Sequence, residues 1–81
     1  MKVQVQFFSR LKDVARTSEL ELEMKEGATV EDLLGELYAR IPPLRDWDST
    51  ILVGAGVEFV GRDHALQPNE QIAIMPPVQG G

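Results

Sequence analysis

Eighty-one residues, 43% of them hydrophobic and 26% charged, make one small globular domain near the lower size limit for a single hydrophobic core. The chain has no cysteine, which excludes disulfides, thiolate metal sites, iron–sulfur clusters and a thiol nucleophile, and fits a reducing setting. A net charge of −5 argues against nucleic-acid binding, and no stretch reads as a signal peptide or membrane span, so the expectation is a cytoplasmic chain with protein partners.

Val3, Val5 and Phe7 alternate with Lys2, Gln4 and Gln6, the period of a half-buried strand. Phe8 breaks that alternation and puts a large apolar side chain on the polar face. Residues 9–17 read as a connector with a short helical turn through Leu11, Val14 and Ala15. A second strand follows, with Leu20, Leu22 and Met24 between Glu19, Glu21 and Glu23. The three glutamates share a strand face, but nothing else supplies metal ligands, so they read as a solvated face. Lys25-Glu26-Gly27 is a turn whose glycine is free to take a positive φ.

Thr29 caps a helix, with Asp32 in the place of the capping-box glutamate, and Glu31 and Asp32 suit the positive end of the helix dipole. Val30, Leu33, Leu34, Leu37 and Ile41 form one stripe at helical spacing, the largest block of the expected core. Pro42-Pro43 ends the helix, and residues 44–50 read as a loop in which Trp47 lids the core. Ile51-Leu52-Val53 reads as a strand buried on both sides, Gly54-Ala55-Gly56 as a turn, and Val57 to Val60 as the returning strand. The glycines do not match a phosphate-binding spacing, and no helix follows them. His64, in the next turn, reads as a lone surface residue. Leu66 tucks inward before the turn Gln67-Pro68-Asn69-Glu70, and the last strand points Ile72 and Ile74 inward.

The order strand, strand, helix, strand, strand, strand implies an α+β chain, a mixed sheet of about five strands with one main helix across one face. That is the β-grasp, or ubiquitin-like, architecture. It occupies residues 1–75, with a tail over 76–81. The other sheet face has no helix to cover it, so Phe8, Phe59 and Met75 are a candidate partner interface beside the tail. The tail is Pro76, Pro77, Val78, Gln79, Gly80 and Gly81: two prolines that stop strand pairing and stiffen the spacer, then a slender Gly-Gly ending. A free carboxylate on Gly81, with no side chain nearby, suits insertion into a narrow active site of another protein.

The segments Val5-Gln6-Phe7-Phe8-Ser9-Arg10-Leu11-Lys12 and Pro76-Pro77-Val78-Gln79-Gly80-Gly81 resemble the MoaD branch of the MoaD/ThiS ubiquitin-like sulfur carriers. Gly27-Ala28-Thr29-Val30 and the turn at 67–70 match the same pattern, while Gly54-Ala55-Gly56 departs from the Asn-containing turn frequent in that family. The resemblance implies that Gly81 is the reactive residue: an ATP-using, E1-like adenylyltransferase activates its carboxylate, and a sulfur-donor enzyme supplies sulfur to leave a C-terminal 1-thioglycine. It implies delivery of that sulfur to cyclic pyranopterin monophosphate within a heterotetramer with the large subunit of molybdopterin synthase. The chain would be non-catalytic alone and hold neither cofactor nor metal. Sulfur delivery to thiamin or tRNA thiolation, a ubiquitin-like modifier, or a plain binding module with an idle tail are the alternatives.

Overall fold

A computed structural model of the chain describes residues 1–77, so Val78, Gln79, Gly80 and Gly81 lie outside the described residues. In chain order the elements are strand β1 (Lys2–Phe7), helix α1 (Arg10–Ala15), β2 (Glu19–Glu23), α2 (Val30–Arg40), a 3-10 helix (Pro42–Thr50), β3 (Leu52–Ala55), β4 (Glu58–Val60) and β5 (Gln71–Met75). The strands form one mixed sheet in the order β2-β1-β5-β3-β4. Only β1 and β5 run parallel, with Val5 opposite Ile72 and Phe7 opposite Ile74; the other neighbours are antiparallel. This is the five-stranded ubiquitin-like sheet with a main helix that the element order implies.

The alternation in β1 sends Val3, Val5 and Phe7 to one face, where they are buried with Ile72 and Ile74 of β5 and Val53 of β3. Against them α2 lays Val30, Leu33, Leu34 and Leu37, each essentially inaccessible. At roughly 1.5–3 kcal/mol per fully buried side chain, this seam between helix and sheet is the main source of stability. The capping box forms as anticipated. The Asp32 N–H donates to Thr29 Oγ1 at 3.4 Å, and the Thr29 N–H donates to Asp32 Oδ2 at 2.9 Å. Further N–H groups at this helix end donate to the 61–66 loop, Val30 to the His64 carbonyl and Glu31 to the Arg62 carbonyl. Gly27 takes the expected positive φ, +86°.

Four expectations need correction. Residues 44–50 belong to the 3-10 helix, which Pro42 and Pro43 open as they close α2. Leu44 and Trp47 lie three apart, the spacing at which 3-10 side chains eclipse; Leu44 is buried and Trp47 packs half-buried against the core. β3 is not buried on both sides: Val53 is, but Leu52 is only half-buried because no helix covers its face. Nor is Gly54 in a turn. β3 runs through Ala55, and the hairpin is closed by Gly56 and Val57, with Gly56 at φ +65°. His64 is not a lone surface residue either: its Nε2 lies 3.0 Å from Glu70 Oε2, and both side chains are largely buried.

Tyr38 also enters the core, which the aliphatic stripe did not indicate. Its hydroxyl donates to Asp48 Oδ1 at 2.6 Å, and Arg62 donates to the same oxygen at 2.8 Å and to the Asp48 carbonyl at 2.7 Å. One aspartate thus ties α2, the 3-10 helix and the loop before β5. The Tyr38 hydrogen bond first, then the Arg62 one, holds the Asp48 carboxyl below its ordinary value of 3.8. Burial first, then Asp48, pushes the Tyr38 phenol above the usual range. A depressed carboxyl stabilises the fold above its unfolded value and loses that contribution as pH falls through the folded value. Tyr38→Phe is therefore expected to cost about 1 kcal/mol near neutrality, a fall of about 4–8 °C in Tm. Melting curves recorded from pH 7 down to strong acid should show the gap to the wild type narrowing below about pH 4. A gap that stays constant with pH would contradict the assignment.

Candidate functional site

The parallel register of β1 and β5 decides what surrounds the root of the tail. With Phe7 opposite Ile74, the next residue of each strand, Phe8 and Met75, falls on the uncovered face side by side. The Phe8 N–H donates to the Ile74 carbonyl at 3.1 Å, which closes the ladder one residue before Met75. Leu52 of β3 pairs with Met75 from the other side. Phe8, Leu52 and Met75 thus form one apolar row at the end of the sheet from which Pro76 departs.

The neighbouring row crosses all five strands: Glu19, Gln6, Ala73, Gly54 and Phe59. Its β2 end is acidic, and its β4 end carries Phe59, 66% exposed. Gly54 lies between Phe59 and β5, and a methyl group there would come within 3.3 Å of Met75 Cε. The tip of Met75 packs closely over the glycine, so a Cβ there would have to push it aside by a few tenths of an ångström. Of the residues anticipated at an interface, Phe8 (42% exposed) and Met75 line the same groove, whereas Phe59 lies outside it on the edge strand, opposite Gly54. Gly54 is the residue that the sequence reading missed here. Glu19, Glu21 and Glu23 are exposed along β2.

A groove opens at the tail root. Phe8, Met75, Pro76 and Pro77 line one part of it, and the remainder comes from Ser9 and Arg10 at the start of α1 and from Asp46, Trp47 and Thr50 of the 3-10 helix. The Arg10 guanidinium carbon lies 5.7 Å from the centre of the Trp47 ring, the separation of a cation–π contact. The expected reactive residue Gly81, with Val78, Gln79 and Gly80, lies outside the described residues; Pro76 and Pro77 are the last residues described. Among the described residues no His, Asp and Glu cluster is arranged to hold a metal ion, and no helix is long and apolar enough to cross a membrane.

Ser9 makes the turn that allows this arrangement. It sits at φ +52° and ψ −133°, on the positive-φ side of the map where side chains are strained, and its hydroxyl makes no capping bond to α1. The turn is pinned by the Leu11 N–H donating to the Phe8 carbonyl at 3.1 Å and the Lys12 N–H to the Ser9 carbonyl at 3.0 Å. Such a conformation costs roughly 1–3 kcal/mol, more than the roughly 0.4–1 kcal/mol that a glycine loses through a freer unfolded chain. Ser9→Gly should therefore raise Tm by several degrees; a fall in Tm measured by calorimetry would show that the turn is not strained.

Comparison with known proteins gives consistent matches over the full length. A model described as the ThiS family matches residues 5–81. The molybdopterin synthase sulfur carrier subunit of Chlamydomonas reinhardtii is 32% identical over 83 aligned positions, covering 100% of both chains. Among solved structures, molybdopterin converting factor subunit 1 from Pyrococcus furiosus superposes with a TM-score of 0.87 at 29% identity, covering 96% of this chain and 99% of that one. Small archaeal modifier protein 1 from Methanosarcina acetivorans superposes with a TM-score of 0.81 at 28% identity, covering 99% and 96%.

Proposed function

The chain belongs to the ThiS family, and from that premise we propose that it is the sulfur-carrying subunit of a molybdopterin synthase. The observation that carries the reading is the extent of the match. It runs through Gly81, and a relative matched end to end is a molybdopterin synthase sulfur carrier subunit.

The proposed chemistry follows from the weakness of a carboxylate as an acyl donor. The Gly81 carboxylate attacks the α-phosphate of ATP, releasing pyrophosphate and leaving an acyl adenylate on an E1-like enzyme. Hydrosulfide released by a donor enzyme then attacks the acyl carbon, displaces AMP and leaves the thiocarboxylate. Within the large subunit, the thiocarboxylate sulfur attacks an electrophilic carbon of the pyranopterin acceptor and displaces the oxygen substituent there, forming a thioester to the pterin. Water then cleaves the acyl–sulfur bond, so the sulfur stays on the pterin and Gly81 returns as a carboxylate. This chain supplies no general base or metal to these steps. Its contribution is a bare Gly-Gly end and a proline spacer that loses little freedom when threaded. The apolar row of Phe8, Leu52 and Met75 at the tail root is the surface proposed to seat the large subunit while the tail is inserted.

The similarity to a small archaeal modifier protein supports a second reading, in which the same activated Gly81 is passed to lysine side chains. One experiment separates the two. The chain is incubated with ATP, its adenylating enzyme and a sulfur donor, then alkylated and weighed intact. With no cysteine present, a thiocarboxylate is the one strongly nucleophilic sulfur, and alkylation distinguishes it from oxidation at any of the three methionines. The carrier reading predicts a single adduct mapping to Gly81 and none on a chain lacking Gly80 and Gly81. No adduct while pyrophosphate is released, with the chain found on lysines in extracts, would favour the modifier.

A further inference from the structure

The groove at the tail root contains a cation that the carrier chemistry leaves without a task. Arg10 stacks over Trp47, which is half-buried against the core and whose carbonyl accepts hydrogen bonds from the Ile51 N–H and the Thr50 hydroxyl. The ring is thus a fixed platform, and a guanidinium held against it has less freedom left to lose on pairing than a solvated one. Among the described residues Arg10 forms no ion pair, although the chain has 13 acidic residues against eight basic ones. Asp46 lines the same groove without pairing with it. Lys12, Arg16, Lys25 and Arg45 are likewise without an ion pair among the described residues, but Arg10 is the basic residue that lines this groove.

The surroundings specify what Arg10 suits. Exposed Phe8 and half-buried Met75 adjoin it, and the strained turn at Ser9 holds Phe8 and Arg10 on either side of one residue. The opposite border of the same face is the acidic β2 row of Glu19, Glu21 and Glu23. A planar guanidinium fork beside apolar side chains matches a carboxylate flanked by hydrophobic residues, and partner coverage removes the water that makes exposed ion pairs weak. An acidic chain repels carboxylates elsewhere on its surface, so such a contact also sets the orientation of docking.

Resting on the carrier reading, we propose that the large subunit of the synthase presents an Asp or Glu side chain, flanked by apolar residues, to the Arg10–Trp47 groove. Arg10 is then a specificity-determining residue at the tail root, pairing with that carboxylate while Phe8 and Met75 are covered.

The test is calorimetric titration of the large subunit from the same organism with the full chain, at low and at moderate salt. Arg10→Glu is expected to weaken binding at least tenfold, and Arg10→Lys to fall between it and the wild type. The wild type should lose more affinity with added salt than Arg10→Glu does. The free variants should melt within a degree or two of the wild type, which separates a docking role from a structural one. Wild-type affinity in Arg10→Glu, or a loss matched by a fall in Tm, would overturn the proposal. A loss confined to the adenylating enzyme would overturn its assignment to the synthase. Failure of the wild-type chain itself to bind the large subunit would instead sink the carrier reading, and the proposal with it.

Discussion

The parallel pairing of the first strand with the last is the constraint on which the rest of the molecule depends. Phe7 lies opposite Ile74, both inward, and the Phe8 N–H closes the ladder on the Ile74 carbonyl. That register carries the core, because it brings Val5 and Phe7 into one layer with Ile72 and Ile74 beneath α2. It also carries the candidate site, because a period of two then forces Phe8 and Met75 onto the opposite face at the point where the tail begins. A one-residue slip would exchange the two sets, exposing Ile72 and Ile74. The stability of the core and the composition of the open face are therefore set by the same hydrogen bonds.

A chain of this size has one long helix to spend on a five-stranded sheet, so one face stays open. The open face is divided. Toward β2 it carries glutamates and glutamines, which solvate it. Toward β5, β3 and β4 it carries Met75, Leu52, Gly54 and Phe59. Exposed apolar area of this kind is a liability unless a partner covers it. The carrier reading gives it an occupant, since the tail that leaves beside Met75 has to be inserted into another protein. Tying the 3-10 helix down through Asp48, Tyr38 and Arg62 holds Trp47, and with it the rim of the groove, in a fixed place.

Much of this is legible in the sequence where one local rule acts alone. The alternation of Val3, Val5 and Phe7, the Thr29–Asp32 cap and the leucine stripe of α2 each follow from a period or a cap, and each is found as read. What the reading misses depends on two segments meeting. Gly54 resembles a turn glycine until Met75 is seen to pack over it from the neighbouring strand. His64 looks solitary because Glu70 reaches it only after the chain turns at Pro68 and Asn69. The 3-10 helix carries too few large apolar residues, Leu44 and Trp47, to show a period, although their spacing after two prolines is a usable signal. Arg10 over Trp47 joins residues far apart in the chain, and no spacing rule reports it.

The central claim is that the open face at the tail root, and not the helical face, receives the synthase partner. Backbone amide shifts of the isotopically labelled chain, followed as the unlabelled large subunit is added, test it most directly. The account predicts that the largest changes cluster at Phe8, Arg10, Gly54, Phe59, Ala73 and Met75, with α2 little affected beyond uniform broadening. Changes concentrated along the exposed side of α2, with the Phe8–Met75 row unmoved, would contradict it.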